Sequence, residues 1–133
     1  MKTFKVVWTD VENVFEKVIG NQAEGLQLIQ QVELPKAAAI PPMIEFSVPD
    51  REMSLTLGVG RSDTVLTFIE SLEPPYFISL GNSAEIGVIT FCWGNQETEY
   101  LKRNSVPFAK GLEALSFFLN HLSRPPNLDW ERL

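Results

Sequence analysis

Glu97 and Glu99 stand two residues apart in the stretch FCWGNQETEYLKRNSVPF, residues 91–108. On a strand, alternate positions place two such carboxylates on one face roughly 7 Å apart. That spacing could serve as an acid/base pair. The groups that would complete a catalytic site are missing from the sequence. One histidine, His121, and one cysteine, Cys92, leave no thiolate and imidazole set for zinc. A Cys–His nucleophile pair would need Cys92 exposed beside His121, and Cys92 lies in an apolar run that reads as packing. Gly58-Val59-Gly60 lacks the third glycine of a dinucleotide loop and the Gly-Lys-Ser/Thr end of a Walker loop. Solvated acids on an outer face are the better account of Glu97 and Glu99. Trp93 and Tyr100 beside them add rigid aromatic area of the kind that anchors protein interfaces, although either ring could also belong to the core.

The elements that must position these residues follow from periodicity. Lys2 to Trp8 reads as a strand. Thr9-Asp10 can cap a helix in which Val11, Val14, Phe15 and Val18 recur at helical spacing. Gly20-Asn21 interrupts, and Leu26 and Ile29 continue a second helical segment. Residues 36–42 form a loop. Met43 to Val48 is a strand, turned by residues 49–52. Met53, Leu55, Leu57 and Val59 then alternate with polar or small residues, as in a half-buried antiparallel strand. Thr64 to Glu70 and Tyr76 to Leu80 are further strands. Ile86 to Trp93 is apolar on both faces, which predicts a central position in the sheet, with Gln96 to Leu101 as its hairpin partner. Phe108, Leu112, Leu115, Phe118, Leu119 and Leu122 mark the last helix, stopped by Pro125-Pro126. The expectation is an α+β fold: one domain over residues 1–133, with a mostly antiparallel sheet and N-terminal and C-terminal helices packed on one face.

Charge narrows the function classes. The net charge is −6, and residues 43–99 hold nine acids against Arg51 and Arg61. An acidic surface repels nucleic acid and steers basic partners. With a single cysteine no intramolecular disulfide forms, which fits a reducing cytoplasm. No run of about 20 apolar residues exists for a membrane span, and the apolar part of MKTFKVVWTD is too short for a secretory signal. The expected location is cytoplasmic, with no metal and no cofactor.

Residues 89–130 resemble the C-terminal half of an immunity-protein family of bacterial polymorphic toxin systems that often accompanies deaminase toxins. The residues that carry the resemblance are Gly94 at a strand end, Thr98-Glu99-Tyr100, Val106-Pro107 opening a helix, Ala114-Leu115 within it, Arg124-Pro125 and Trp130. LTLGVG (55–60), VLTF (65–68) and PPYFISLGN (74–82) extend it upstream, so that it covers residues 43–130. The N-terminal third fits loosely, with 11–21 as an insertion. Ser123 stands where the family usually has glycine.

The resemblance implies a non-catalytic protein that binds and neutralises a cognate secreted toxin domain, a nucleic-acid deaminase or nuclease. Such a toxin has a basic cleft that an acidic protein can occupy. The expected toxin-binding residues are Glu70, Glu73, Tyr76, Glu85, Trp93, Glu97, Glu99 and Tyr100. Two further roles stay open: Glu99 could instead cap the 104–105 loop, and contacts could lie in loops 49–52, 60–63 and 71–85. Pro107, Arg124 and Trp130 are assigned to structure. The alternatives are an adaptor or regulatory binding domain without a toxin, and a minor enzyme using Glu97 and Glu99. Nucleic acid and membrane are not expected partners, and the sequence leaves the oligomeric state open.

Overall fold

The computed structural model describes residues 3–9, 13–32, 40–94 and 96–133. The chain opens with a β-hairpin. Strand β1 (Phe4–Thr9) pairs antiparallel with β2 (Val14–Ile19), Phe4 opposite Ile19 and Trp8 opposite Phe15. Here the structure corrects the expected helix over residues 11–18. Val14, Phe15 and Val18 satisfy helical spacing, but three β-branched residues (Val14, Val18, Ile19) favour a strand. Pairing also lets Phe15 stack on Trp8, ring centroids 5.3 Å apart. The supposed Asp10 cap and Val11 lie outside the described residues.

The first helix is α1 (Gln22–Gln31). Asn21 caps it: its Oδ1 accepts from the Glu24 N–H at 2.9 Å, and its Nδ2 donates to the Glu24 carboxylate at 3.2 Å. The Gly20-Asn21 interruption is thus the helix start. Strands β3 (Met43–Val48), β4 (Met53–Gly58), β5 (Asp63–Thr64), β6 (Leu66–Ile69) and β7 (Tyr76–Leu80) follow, then β8 (Val88–Trp93) and β9 (Gln96–Leu101). A 3-10 turn over Lys102–Asn104 leads to β10 (Val106–Pro107), helix α2 (Phe108–His121) and β11 (Asp129–Arg132). The fold is α+β, but neither helix is terminal. A hairpin precedes α1 and a strand follows α2.

Among the described residues the main sheet is antiparallel, in the order β11-β7-β6-β4-β3-β1-β2. Register puts Val6, Phe46, Leu55 and Phe68 in one row on one face. Both helices cover that face. Phe118 of α2 lies 6.2 Å from the ring of Phe4 and 6.1 Å from that of Phe68. Helix α1 crosses α2 at Gly25, where a Cβ would stand 2.7 Å from Leu119 Cδ1. The stop of α2 is a left-handed Leu122, whose N–H bonds Phe118 O at 2.8 Å. The tail adds an edge strand: β11 pairs with β7, and the Trp130 indole N–H donates to Pro125 O at 2.8 Å. Arg124 lies over the Phe77 ring at 4.2 Å. The structural roles expected of Trp130 and Arg124 are seen.

The opposite face carries the row Val7, Glu45, Thr56, Thr67 and Ile78. The β8–β9 hairpin packs over one end of this face. Residues 88–93 are therefore not the central strand that their apolar run suggests; among the described residues β9 is the one strand they pair with, in a separate two-stranded sheet, beside a single parallel bridge from Cys92 to Pro42. The inner side of β8 meets protein: Phe91 enters a second core with Met43, Val65 and Ile78.

A candidate protein-binding surface on the second layer

The hairpin is seated by a missing side chain. At Gly58 a Cβ would stand 2.3 Å from the Phe91 ring, so only glycine lets that ring reach the sheet. Three backbone and side-chain ties hold the hairpin in place. Cys92 N–H donates to Pro41 O at 2.7 Å. The Arg61 guanidinium donates to Thr90 O at 3.0 Å and to Thr90 Oγ1 at 3.2 Å, and lies over Phe91, 5.6 Å from its centroid. At the far end Asn104, buried, donates to Ser79 O at 2.9 Å and to Glu131 Oε1 at 3.2 Å, while Arg103 holds Glu131 Oε2 at 2.5 Å.

Register then sorts the side chains. Ile89 opposes Tyr100, Phe91 opposes Thr98 and Trp93 opposes Gln96; these face the sheet. Trp93 and Tyr100 pack on the second core, Tyr100 edge-on to Phe91 at 6.4 Å. Burial pushes the Tyr100 phenol above its ordinary pKa. Val88 opposes Leu101, Thr90 opposes Glu99 and Cys92 opposes Glu97; these face outward. Glu97 and Glu99 are exposed on one face, as their spacing requires. Among the described residues Glu99 makes no hydrogen bond to the 104–105 loop. That loop is tied locally instead, with the Ser105 N–H and hydroxyl both donating to Lys102 O, at 3.0 and 2.7 Å.

The eight expected toxin-binding residues do not gather in one place. Glu97 and Glu99 lie outward on β9, while Trp93 and Tyr100 lie on the inner side of the same hairpin. Glu70, Glu73 and Tyr76 occupy the β6–β7 turn, where the Tyr76 hydroxyl donates to Leu72 O and the Glu73 N–H donates to Ser71 Oγ at 3.2 Å. Register puts that turn at the same end of the sheet as the β3–β4 turn, whereas the hairpin covers the end where Met43 opposes Gly58. Glu85 lies in the β7–β8 loop on a polar cleft of about 580 Å³, where Lys102 and Lys110 offset Asp63 and Asp129. A second groove, about 660 Å³ between α1, α2 and the turn at 59–61, has apolar walls of Leu26, Ile29, Val59 and Leu112. In the polar cleft the Ser105 hydroxyl donates to Lys102 O rather than to a side-chain base. Among the described residues no group of three or more His, Cys, Asp and Glu could hold a metal, and no helix is long and apolar enough to cross a membrane. His121, on the last turn of α2, is exposed with its ring 4.3 Å from Phe117.

What the sequence reading missed is the apolar part of the outer face. Leu101 is 51% exposed and its partner Val88 49%, next to Glu99 on the outer face, and Ile86, just before β8, is 88% exposed. The signal was present in the alternation of 88–92: once Phe91 points in, Val88 and its partner Leu101 must point out.

A model of the family described as Immunity protein Imm1 matches residues 7–132. The chain belongs to this immunity-protein family. The match spans nearly the whole chain. Among curated proteins, a search finds no match. Membership of Imm1 points to toxin immunity as the role.

Proposed function

We propose that this protein neutralises a cognate secreted toxin, a nucleic-acid deaminase or nuclease, by binding it, with no chemistry of its own. The observation that carries the reading is the Imm1 match over residues 7–132. The charge supports it. A toxin that acts on a polyanion presents a basic surface, and this chain carries −6, with Glu97 and Glu99 held outward on a braced hairpin. Steering would speed the encounter, and a desolvated apolar patch would slow release. The protein would work where the toxin is made or received, in the bacterial cytoplasm.

The test is co-expression of the toxin domain encoded beside this gene, with and without this protein, counting survivors. Survival restored by the protein, with a stable complex on size-exclusion chromatography, is the expected result. Toxicity unrelieved by it would overturn the reading in favour of an adaptor with another partner.

A further inference from the structure

We propose that β9 is an open sheet edge that takes up a strand of the toxin: an antiparallel strand with an apolar residue followed, at alternate positions, by two basic ones. This rests on reading the chain as a toxin binder and adds the place and mode of contact.

The hydrogen-bond phase of the hairpin sets the geometry. Lys102 N–H donates to Gly87 O at 3.0 Å, and the register continues that pair one step on as Val88 opposite Leu101. Antiparallel ladders alternate bonded and non-bonded pairs. The bonded pairs are therefore Ile89–Tyr100, Phe91–Thr98 and Trp93–Gln96. Glu97, Glu99 and Leu101 turn their N–H and C=O groups away from β8. The other edge of β8 agrees with this phase: the Cys92 N–H and the Thr90 C=O both point away from β9, to Pro41 and Arg61. Among the described residues no strand pairs with the outer edge of β9.

The same three residues send their side chains to the outer face. Each offers its backbone sideways and its side chain outward. A strand added here would place residues directly opposite Leu101, Glu99 and Glu97, with Cβ atoms about 5 Å away. Complementarity then selects an apolar residue opposite Leu101, where Val88 widens the apolar patch, and Lys or Arg opposite both carboxylates. Neither carboxylate has an ion pair among the described residues. Read along the partner, the order is apolar-x-basic-x-basic. Self-pairing of β9 is disfavoured. A two-fold centred on Thr98 sets Glu97 against Glu99, and one centred on Glu99 sets that residue against its own copy. The edge strands of the main sheet, β11 and β2, offer no such selection: on β11 Glu131 is already held by Arg103 at 2.5 Å, and β2 is no better. Its Glu16 is already engaged by Lys5 at 3.4 Å, and its exposed Val14 and Val18 would accept any apolar strand.

The test is amide hydrogen exchange by NMR on the full chain, alone and with the toxin domain encoded beside it. The Glu97, Glu99 and Leu101 amides should exchange fast in the free protein and slow by at least ~10-fold in the complex, with Thr98 and Tyr100 protected in both. A formed complex that leaves those three amides unchanged overturns the proposal. Independently, Glu97→Lys/Glu99→Lys should weaken binding roughly 10- to 100-fold, while Glu113→Lys, exposed on α2 on the helix side, leaves it within about twofold. A folded hairpin variant that binds and rescues like wild type overturns the strand contact alone. Wild-type protein that neither binds nor rescues overturns the immunity reading, and the strand contact with it.

Discussion

On the helix side of the sheet, Phe4, Phe46 and Phe68 meet Phe118 under two helices, and the core continues through Leu55, Leu57 and Leu115. On the hairpin side, four buried residues, Met43, Val65, Ile78 and Phe91, close one end. Beyond them the face continues into Glu45, Thr56 and Thr67. The first side is a closed apolar layer whose burial drives folding. The second is a thin seal, set by one glycine and one ring, that mounts a charged hairpin. The difference teaches that the burial that drives folding and the hairpin we propose for recognition occupy opposite faces of the same strands. Damage to one face should unfold the protein, and damage to the other should first loosen the hairpin.

The largest effect is expected on the helix side. Phe118→Ala removes a fully buried ring that touches both Phe4 and Phe68. The loss should be about 3–5 kcal/mol, read as a fall in the urea midpoint with the slope unchanged. A loss below about 1 kcal/mol would show that the two faces share the folding energy more evenly than their packing suggests.

A smaller and more local effect is expected from Gly58→Ala. The added methyl would overlap the Phe91 ring, which must shift, at about 1–3 kcal/mol. The variant should keep its far-ultraviolet signal while binding of the toxin weakens, because the hairpin no longer sits in register over the sheet. Combining it with Phe91→Leu should recover part of the loss, since the smaller side chain vacates the contested space. The two changes are then non-additive. Additive losses would mean that Gly58 acts through its backbone rather than through contact with Phe91.

Much of this arrangement was legible from periodicity. The α2 stripe and the hairpin at 91–101 came from local pattern, because each pattern reports which face a residue buries; the half-wet strand expected from the alternation of β4 is instead buried on both faces, Ser54 and Thr56 included. The misreadings share one cause, that a residue's apolar character does not name its partner. Val14, Phe15 and Val18 are apolar on an open edge strand, so their spacing mimicked a helix stripe that has no helix beneath it. Ile86 to Trp93 is apolar on both faces because one side meets the second core and the other carries an exposed patch, not because it lies mid-sheet. The scatter of the acids was equally hidden. Glu70 and Glu73 are separated from Glu97 and Glu99 by the length of the strands, which depends on pairing between residues far apart in sequence.

The smallest expected effect concerns Glu45, at the border of the two sides. It lies half-buried between Val7 and Thr56 on the hairpin face. Desolvation raises its pKa above the ordinary carboxylate value, only partly opposed by Lys5. A carboxyl with a raised folded pKa binds its proton more tightly folded than unfolded. Stability therefore falls as pH rises from the unfolded value through the folded one, and the deficit is complete above the folded value. Glu45→Gln keeps the shape and removes the charge. It should leave the protein as stable as wild type or more so at pH 7, and the advantage should shrink as pH drops toward 4, measured as the difference in melting temperature. A variant less stable at pH 7 would show that the charge is used. The strip between the hairpin and the β6–β7 turn would then be held by an interaction of the carboxylate stronger than its desolvation, and the two faces would differ less than their packing implies.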